Sequence, residues 1–112
     1  MLIVKRMLNY QHKLDSVFST LAVPARRSIV ERLSNGPASV SELARPLKMS
    51  LPAVVQHIQV LEASGIIRTE KTGRVRRCRL QPKALAPVED WFAKRRSHWE
   101  RKLDRLAAAL GE

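Results

Sequence analysis

Apolar residues recur along this chain first with a helical period, then with a strand period, then with a helical period again. Leu14, Val17, Phe18 and Leu21 fall at i, i+3, i+4 and i+7, so residues 10–21 are predicted to form a helix with one apolar stripe. Pro24 suits the first turn of a second helix, where its missing N–H would have had no partner. Ile29, Val30 and Leu33 give that helix its apolar face, and Ser34-Asn35-Gly36-Pro37 supplies the turn that ends it. Ser39-Val40-Ser41-Glu42 has the form of a capping box, in which the serine and glutamate side chains satisfy free amides at the start of a third helix. Leu43, Ala44 and Leu47 form its inner side, and Pro46 removes a backbone hydrogen bond, so this helix is expected to be short or bent.

Ser50 is a good N-cap for a fourth helix over 50–64, and Gly65 suits its C-terminal end. Val54, Ile58 and Leu61 share its inner face, while Pro52, Ala53, Gln56 and Gln59 project from the opposite side. The period then drops to two. Residues 66–72 and 75–80 read as a pair of strands around the turn signal Gly73-Arg74, and Pro82 breaks the second. From 86 to 110 the pattern is helical again, a span of about 37 Å at 1.5 Å per residue. The order is helix, helix, helix-turn-helix, hairpin, long helix. The predicted class is mainly α (an α+β winged helix), with a two-stranded β-hairpin wing after the helix-turn-helix. Its length points to one domain over 1–112.

Charge narrows the choice of partner. Lys and Arg number 21 against 10 Asp and Glu, for a formal charge of +11. A compact chain this basic repels itself and attracts polyanions, nucleic acid first and an anionic membrane surface second. The excess is concentrated in the hairpin, where Arg68, Lys71, Arg74, Arg76, Arg77 and Arg79 face a single acid, Glu70. Cys78 is the one cysteine, so no intrachain disulfide forms, in keeping with a reducing compartment. The opening residues MLIVKRML are too short for a signal segment, and no apolar run approaches the ~20 residues of a membrane span. A soluble, cytoplasmic protein is expected.

Two short helices joined by a tight turn, the second capped and polar outward, describe a helix-turn-helix whose second helix enters the major groove. A basic hairpin directly after it is a wing, able to reach flanking phosphates or the minor groove. Here the sequence resembles the ArsR family of bacterial winged-helix repressors. The resemblance is carried by Leu21-Ala22-Val23-Pro24-Ala25-Arg26-Arg27-Ser28-Ile29-Val30, by Val40-Ser41-Glu42-Leu43-Ala44, by Ser50-Leu51-Pro52-Ala53-Val54-Val55-Gln56-His57-Ile58 and by Leu61-Glu62-Ala63-Ser64-Gly65-Ile66-Ile67, in that order and spacing. It covers residues 14–80 closely and the last helix loosely. It implies a homodimer built from the first and last helices, bound to operator DNA as a repressor and associated with the bacterial nucleoid. Four positions depart from the family pattern. Val23 replaces an N-capping aspartate. Lys48 replaces a turn glycine, which is expected to strain that turn. Leu51 and Val55 replace polar residues, which shifts base readout from hydrogen bonds toward apolar contact with thymine methyls.

The expected DNA-binding residues follow. Gln56 is the first choice for a base contact, since glutamine pairs adenine through two hydrogen bonds, and Gln59 is the second. Pro52 and Ala53 permit close approach. His57 sits at the edge of the buried face, and packs inside, touches a phosphate, or does both. Ser50 caps the helix and stands where free amides favour an anion. In the wing Arg74 and Arg76 come first, with Lys71 and Arg77 behind them; strand alternation puts Arg76, Cys78 and Leu80 on one face and Val75, Arg77 and Arg79 on the other. The expected dimer interface is Leu14, Val17 and Phe18 with Val88, Trp91, Phe92, Trp99, Leu103, Leu106 and Leu110. No metal or cofactor is expected: the third helix has no cysteine, and His98, Asp90 and Glu100 do not recreate a paired ligand set on the last helix. No phosphate-binding glycine loop or nucleophile with a base at workable spacing points to an enzyme. Competing readings are a module that binds nucleic acid without sequence preference and a protein-interaction adaptor, the second of which the charge opposes. The sequence names no effector.

Overall fold

The computed structural model describes residues 2–111. Its elements are α1 (Leu2–Leu21), α2 (Pro24–Leu33), β1 (Ala38–Ser39), α3 (Val40–Ala44), α4 (Leu51–Ala63), β2 (Ile67–Thr72), β3 (Val75–Leu80), a 3-10 turn (Pro82–Leu85) and α5 (Ala86–Ala109). The fold is a winged helix-turn-helix of predominantly helical content. The inward stripes of the helices meet in one core, where Ile29, Leu43, Val54, Leu61, Ile66 and Cys78 are at most 1% exposed. α4 enters that core with Val54, Ile58 and Leu61 and keeps its other side free. That division positions the outer row of α4 on a rigid back.

The local chemistry fixes the element ends. Ser50 Oγ accepts the Ala53 amide at 3.4 Å, so α4 starts on a side-chain cap. Gly65, at φ +82°, ends it in a left-handed conformation that costs glycine nothing. Gly73, at φ +63°, makes the hairpin turn. α3 stops at Ala44, ahead of Pro46, and is short as proline requires. Val23 stands at the start of α2 without a side-chain cap.

Several expectations need correcting. α1 begins at Leu2 and not near residue 10; Leu2, Ile3, Val4, Met7 and Leu8 are 56–73% exposed, and because none of the described residues covers them they carry no single inward stripe. The sheet has three strands, in the order β1-β3-β2, with Ala38 opposite Cys78 and Ser39 opposite Arg77. A two-residue strand is too short to show a period. The capping box forms by half: Ser39 Oγ accepts the Glu42 amide at 3.1 Å, but the Glu42 carboxylate accepts from the Ser39 hydroxyl and from Arg32, the latter at 3.3 Å. The turn at Lys48 is not strained. Among the described residues only glycines have positive φ, and Leu47 N–H to Ala44 O and Met49 N–H to Leu47 O carry the turn.

The outer layer is looser. α5 has no buried residue. It docks on α1 through edge-to-face rings, Phe18 to Trp91 at 5.8 Å and Phe18 to Phe92 at 6.1 Å, and the Tyr10 hydroxyl reaches the Pro87 carbonyl at 3.2 Å. Past Arg95, whose guanidinium covers Trp91 at 4.4 Å, the apolar stripe continues uncovered. The Cα radius of gyration is 18.8 Å, against about 13 Å for a compact chain of this length. The difference is the projection of the terminal helices away from the core.

Candidate nucleic-acid interface

α4 presents a row of outward positions one helical turn apart, with Pro52, Gln56 and Gln59 all exposed and Ala53 partly so. Gln59 lies between two depressions. One, of about 590 Å³, is the cleft between α4 and the wing, lined among others by Leu51, Val55, Glu62, Thr69, Arg74 and Arg76. The other, of about 360 Å³, is shallower and is lined by Arg26, Gln56, His57, Gln59, Val60 and Ala63. The departures at Leu51 and Val55 therefore share one apolar flank beside the glutamine row, where a thymine methyl would find contact. Ser50 sits exposed at the N-terminal end of the same row.

The hairpin sorts its charges by face. Glu70 stands opposite Arg77 and pairs with Arg68 at 3.7 Å and Arg79 at 3.6 Å, so the outer face holds three arginines around one acid. The other face carries Lys71 opposite Arg76, next to Thr69 and the buried Cys78. Arg74 is at the turn, exposed. Thus Lys71, Arg74 and Arg76 stand on the side or tip that borders α4, while Arg77 belongs to the outer face with Glu70.

A strap ties the wing to the helix. The Glu62 carboxylate accepts the Thr69 hydroxyl at 2.7 Å and the Thr69 amide at 3.0 Å, and Arg76 donates to the Thr69 hydroxyl at 2.9 Å. The Thr69 hydroxyl first and its amide second hold the Glu62 carboxyl below the usual carboxylate range, with Arg76 acting in the same direction and desolvation against it. A depressed folded value means that the strap stabilises at all pH above the unfolded value and is lost as pH falls through the folded one. Glu62→Gln is accordingly expected to loosen the wing: Thr69 amide exchange speeds up at neutral pH, and the acid-induced shift of that amide signal disappears. An unchanged exchange rate would show that the wing is held by its ladder alone. Burial first and the Glu62 charge second push the Cys78 thiol up against the pull of Arg76, and so disfavour the thiolate.

Sequence reasoning missed three contributors. Arg26, on α2, donates through Nε to His57 Nδ1 at 3.2 Å. Glu62 and Thr69, of opposite elements, form the strap. Their signals were weak: an arginine on a polar helix face, and a glutamate seven residues from a threonine across a change of period. Of the expected interface residues, Leu14 (7% exposed) and Val17 (2%) are inside the chain's own core. Val88 and Trp91 are half-buried, and Phe18, Phe92, Trp99, Leu103, Leu106 and Leu110 are exposed. Among the described residues no three His, Cys, Asp or Glu side chains gather to hold a metal ion, and no helix is long and apolar enough to cross a membrane.

Comparison with known proteins agrees with the winged helix-turn-helix fold. Residues 21–70 match a family model described as a helix-turn-helix domain. The chain is 44% identical over 74 residues to the HTH-type transcriptional regulator Rv2034 of Mycobacterium tuberculosis, covering 66% of this chain and 69% of that protein. It is 37% identical over 68 residues to the HTH-type transcriptional repressor SmtB of the same species, covering 61% of this chain and 50% of that protein. Among solved structures, the ArsR family transcriptional regulator RHA00566 superposes with a TM-score of 0.76 at 48% identity, over 80% of this chain and 93% of that one.

Proposed function

Because this chain belongs to the ArsR family of winged helix-turn-helix transcription regulators, we propose that it binds double-stranded DNA as a homodimer and represses transcription from an inverted-repeat operator. Its family is one of DNA-binding regulators, and the chain is not an enzyme. The observation that carries the proposal is the cleft between α4 and the wing: Gln59 lines it together with Arg74 and Arg76, with Gln56 and Ser50 exposed on the same helix and Lys71 opposite Arg76 in the ladder, on a chain of charge +11. In this reading Gln56 and Gln59 read base edges, Leu51 and Val55 touch thymine methyls, and Ser50 and the wing cations hold phosphates, which set affinity and register. Arg68, Arg77 and Arg79 contribute less, since Glu70 shares their charge.

The dimer would use the surface that the chain leaves uncovered. Phe92 (55% exposed), Trp99 (61%), Leu103 (47%), Leu106 (56%) and Leu110 (69%) follow one another along α5, and Leu2, Ile3, Met7 and Leu8 are exposed on α1. Exposed apolar surface of this extent marks an interface. Residues 1–112 act as one unit in this reading, in the cytoplasm and on the nucleoid, with no cofactor, no metal effector and no membrane partner. A two-fold axis would set two α4 helices ~34 Å apart, facing half-sites one turn apart. The name of the SmtB relative motivates the repressor sign.

Fluorescence anisotropy on DNA from upstream of the protein's own gene, beside a shuffled duplex and at two salt concentrations, tests the reading. Native DNA is expected to bind more tightly, and binding to both to weaken with salt. Gln56→Ala is expected to remove roughly 1–3 kcal/mol of the preference. Arg74→Ala is the cleaner phosphate variant, because Arg76 also holds Thr69; it is expected to weaken both duplexes alike and to reduce the salt slope by about one unit. Equal binding to both duplexes by the wild type would favour a non-specific module.

A further inference from the structure

Arg26 joins three helices through one guanidinium. Its Nε donates to Nδ1 of His57 on α4 at 3.2 Å, and its Nη1 donates to the carbonyl of the buried Thr20, near the end of α1, at 3.5 Å. The four ion pairs of the described residues do not include it, so no carboxylate meets its charge there. A guanidinium has only donors and does not lose its proton. In the contact with His57 the ring nitrogen must therefore be the acceptor. Nδ1 carries no proton, and the neutral imidazole keeps its single N–H at Nε2. The same ring lines the shallow depression shared by Gln56 and Gln59, the two side chains assigned to base reading.

We propose, resting on the DNA-binding reading above, that Arg26 is a positioning residue that fixes His57 as an Nε2–H hydrogen-bond donor to an acceptor on DNA. Arg26 itself stands on α2, so the recognition surface is completed by a residue outside the helix-turn-helix. The acceptor is a phosphate oxygen or a purine ring or carbonyl acceptor; both offer a lone pair to one N–H.

Long-range proton–nitrogen correlation of the histidine rings in the free, full-length ¹⁵N-labelled protein reads the tautomer, and anisotropy on native and shuffled DNA reads the consequence. The wild type is expected to show His57 with its proton on Nε2. Arg26→Met is expected to give mixed tautomers and to weaken DNA binding roughly three- to tenfold, the size of one hydrogen bond. His57→Gln, whose amide nitrogen stands near the position of Nε2, is expected to bind almost as the wild type does. His57→Asn, which replaces the Nδ1 side, is expected to lose as much as Arg26→Met, and the double variant no more than either single one. Loss on native DNA alone identifies a base acceptor, and equal loss on both a phosphate. A proton on Nδ1 in the wild type, or an unchanged tautomer in Arg26→Met, overturns the proposal while leaving DNA binding intact. Absence of any DNA binding by the wild type overturns the functional reading and this proposal with it, whatever the tautomer. If Arg26→Met does not fold, the wild-type tautomer and the glutamine–asparagine pair at His57 decide the matter.

Discussion

Replacing Leu103 and Leu106 together by glutamate is expected to turn the protein into a monomer in sedimentation and to weaken operator binding about a hundredfold or more. Both side chains stand on α5 beyond the Trp91 and Phe92 rings that pack on Phe18, 47% and 56% exposed, so the isolated chain has little to lose from the change. In a two-fold dimer each substitution is present twice. Burying a leucine against a partner contributes roughly 1.5–3 kcal/mol, and burying an unpaired carboxylate there reverses the sign at a cost of several more. Once the dimer is lost, each half-site is bound without the local concentration supplied by its neighbour, a factor of roughly 10²–10⁴. Helical content is expected to stay near that of the wild type. A double variant that stays dimeric would move the interface away from α5.

The second large effect is on stability. Leu61→Ala is expected to destabilise the fold by about 2–5 kcal/mol, read from the urea midpoint at fixed protein concentration. Leu61 is 0% exposed on the inner face of α4, among Val54, Ile58 and Ile66. A domain of this size holds roughly 5–15 kcal/mol in total, so one cavity removes a large share. Gln59→Ala, two residues away on the outer side, is expected to change stability by no more than about 0.5 kcal/mol. If Leu61→Ala cost under about 1 kcal/mol, the back of the recognition helix would have to collapse around the gap, and α4 would not be the rigid platform described above.

The fold was legible wherever a period ran for two turns or more. The stripe 14, 17, 18, 21, the inner face 54, 58, 61 and the alternation across Gly73 each state an element and its buried side. What escaped was short or uncovered. β1 has two residues, held by pairing with β3 and not by any pattern of its own. The first turns of α1 bury nothing within the chain, so burial impressed no stripe on residues 2–8. At the candidate site, residue types were readable and partners were not. Gln56, Gln59 and Arg74 announce themselves by position. The contacts of Arg26 with His57 and of Glu62 with Thr69 arise only when helices and wing pack, and no spacing along the chain encodes them. Leu14 and Val17 show the converse: a stripe marks burial, without saying whether the same chain or a second copy does the burying.

The most direct test of a symmetric dimer reading DNA with α4 and the wing is selection of duplexes from a random pool by the purified protein. An enriched inverted repeat with half-site centres about 10–10.5 base pairs apart is the predicted result. Enrichment of a lone asymmetric half-site, or no enrichment at low salt, would contradict it.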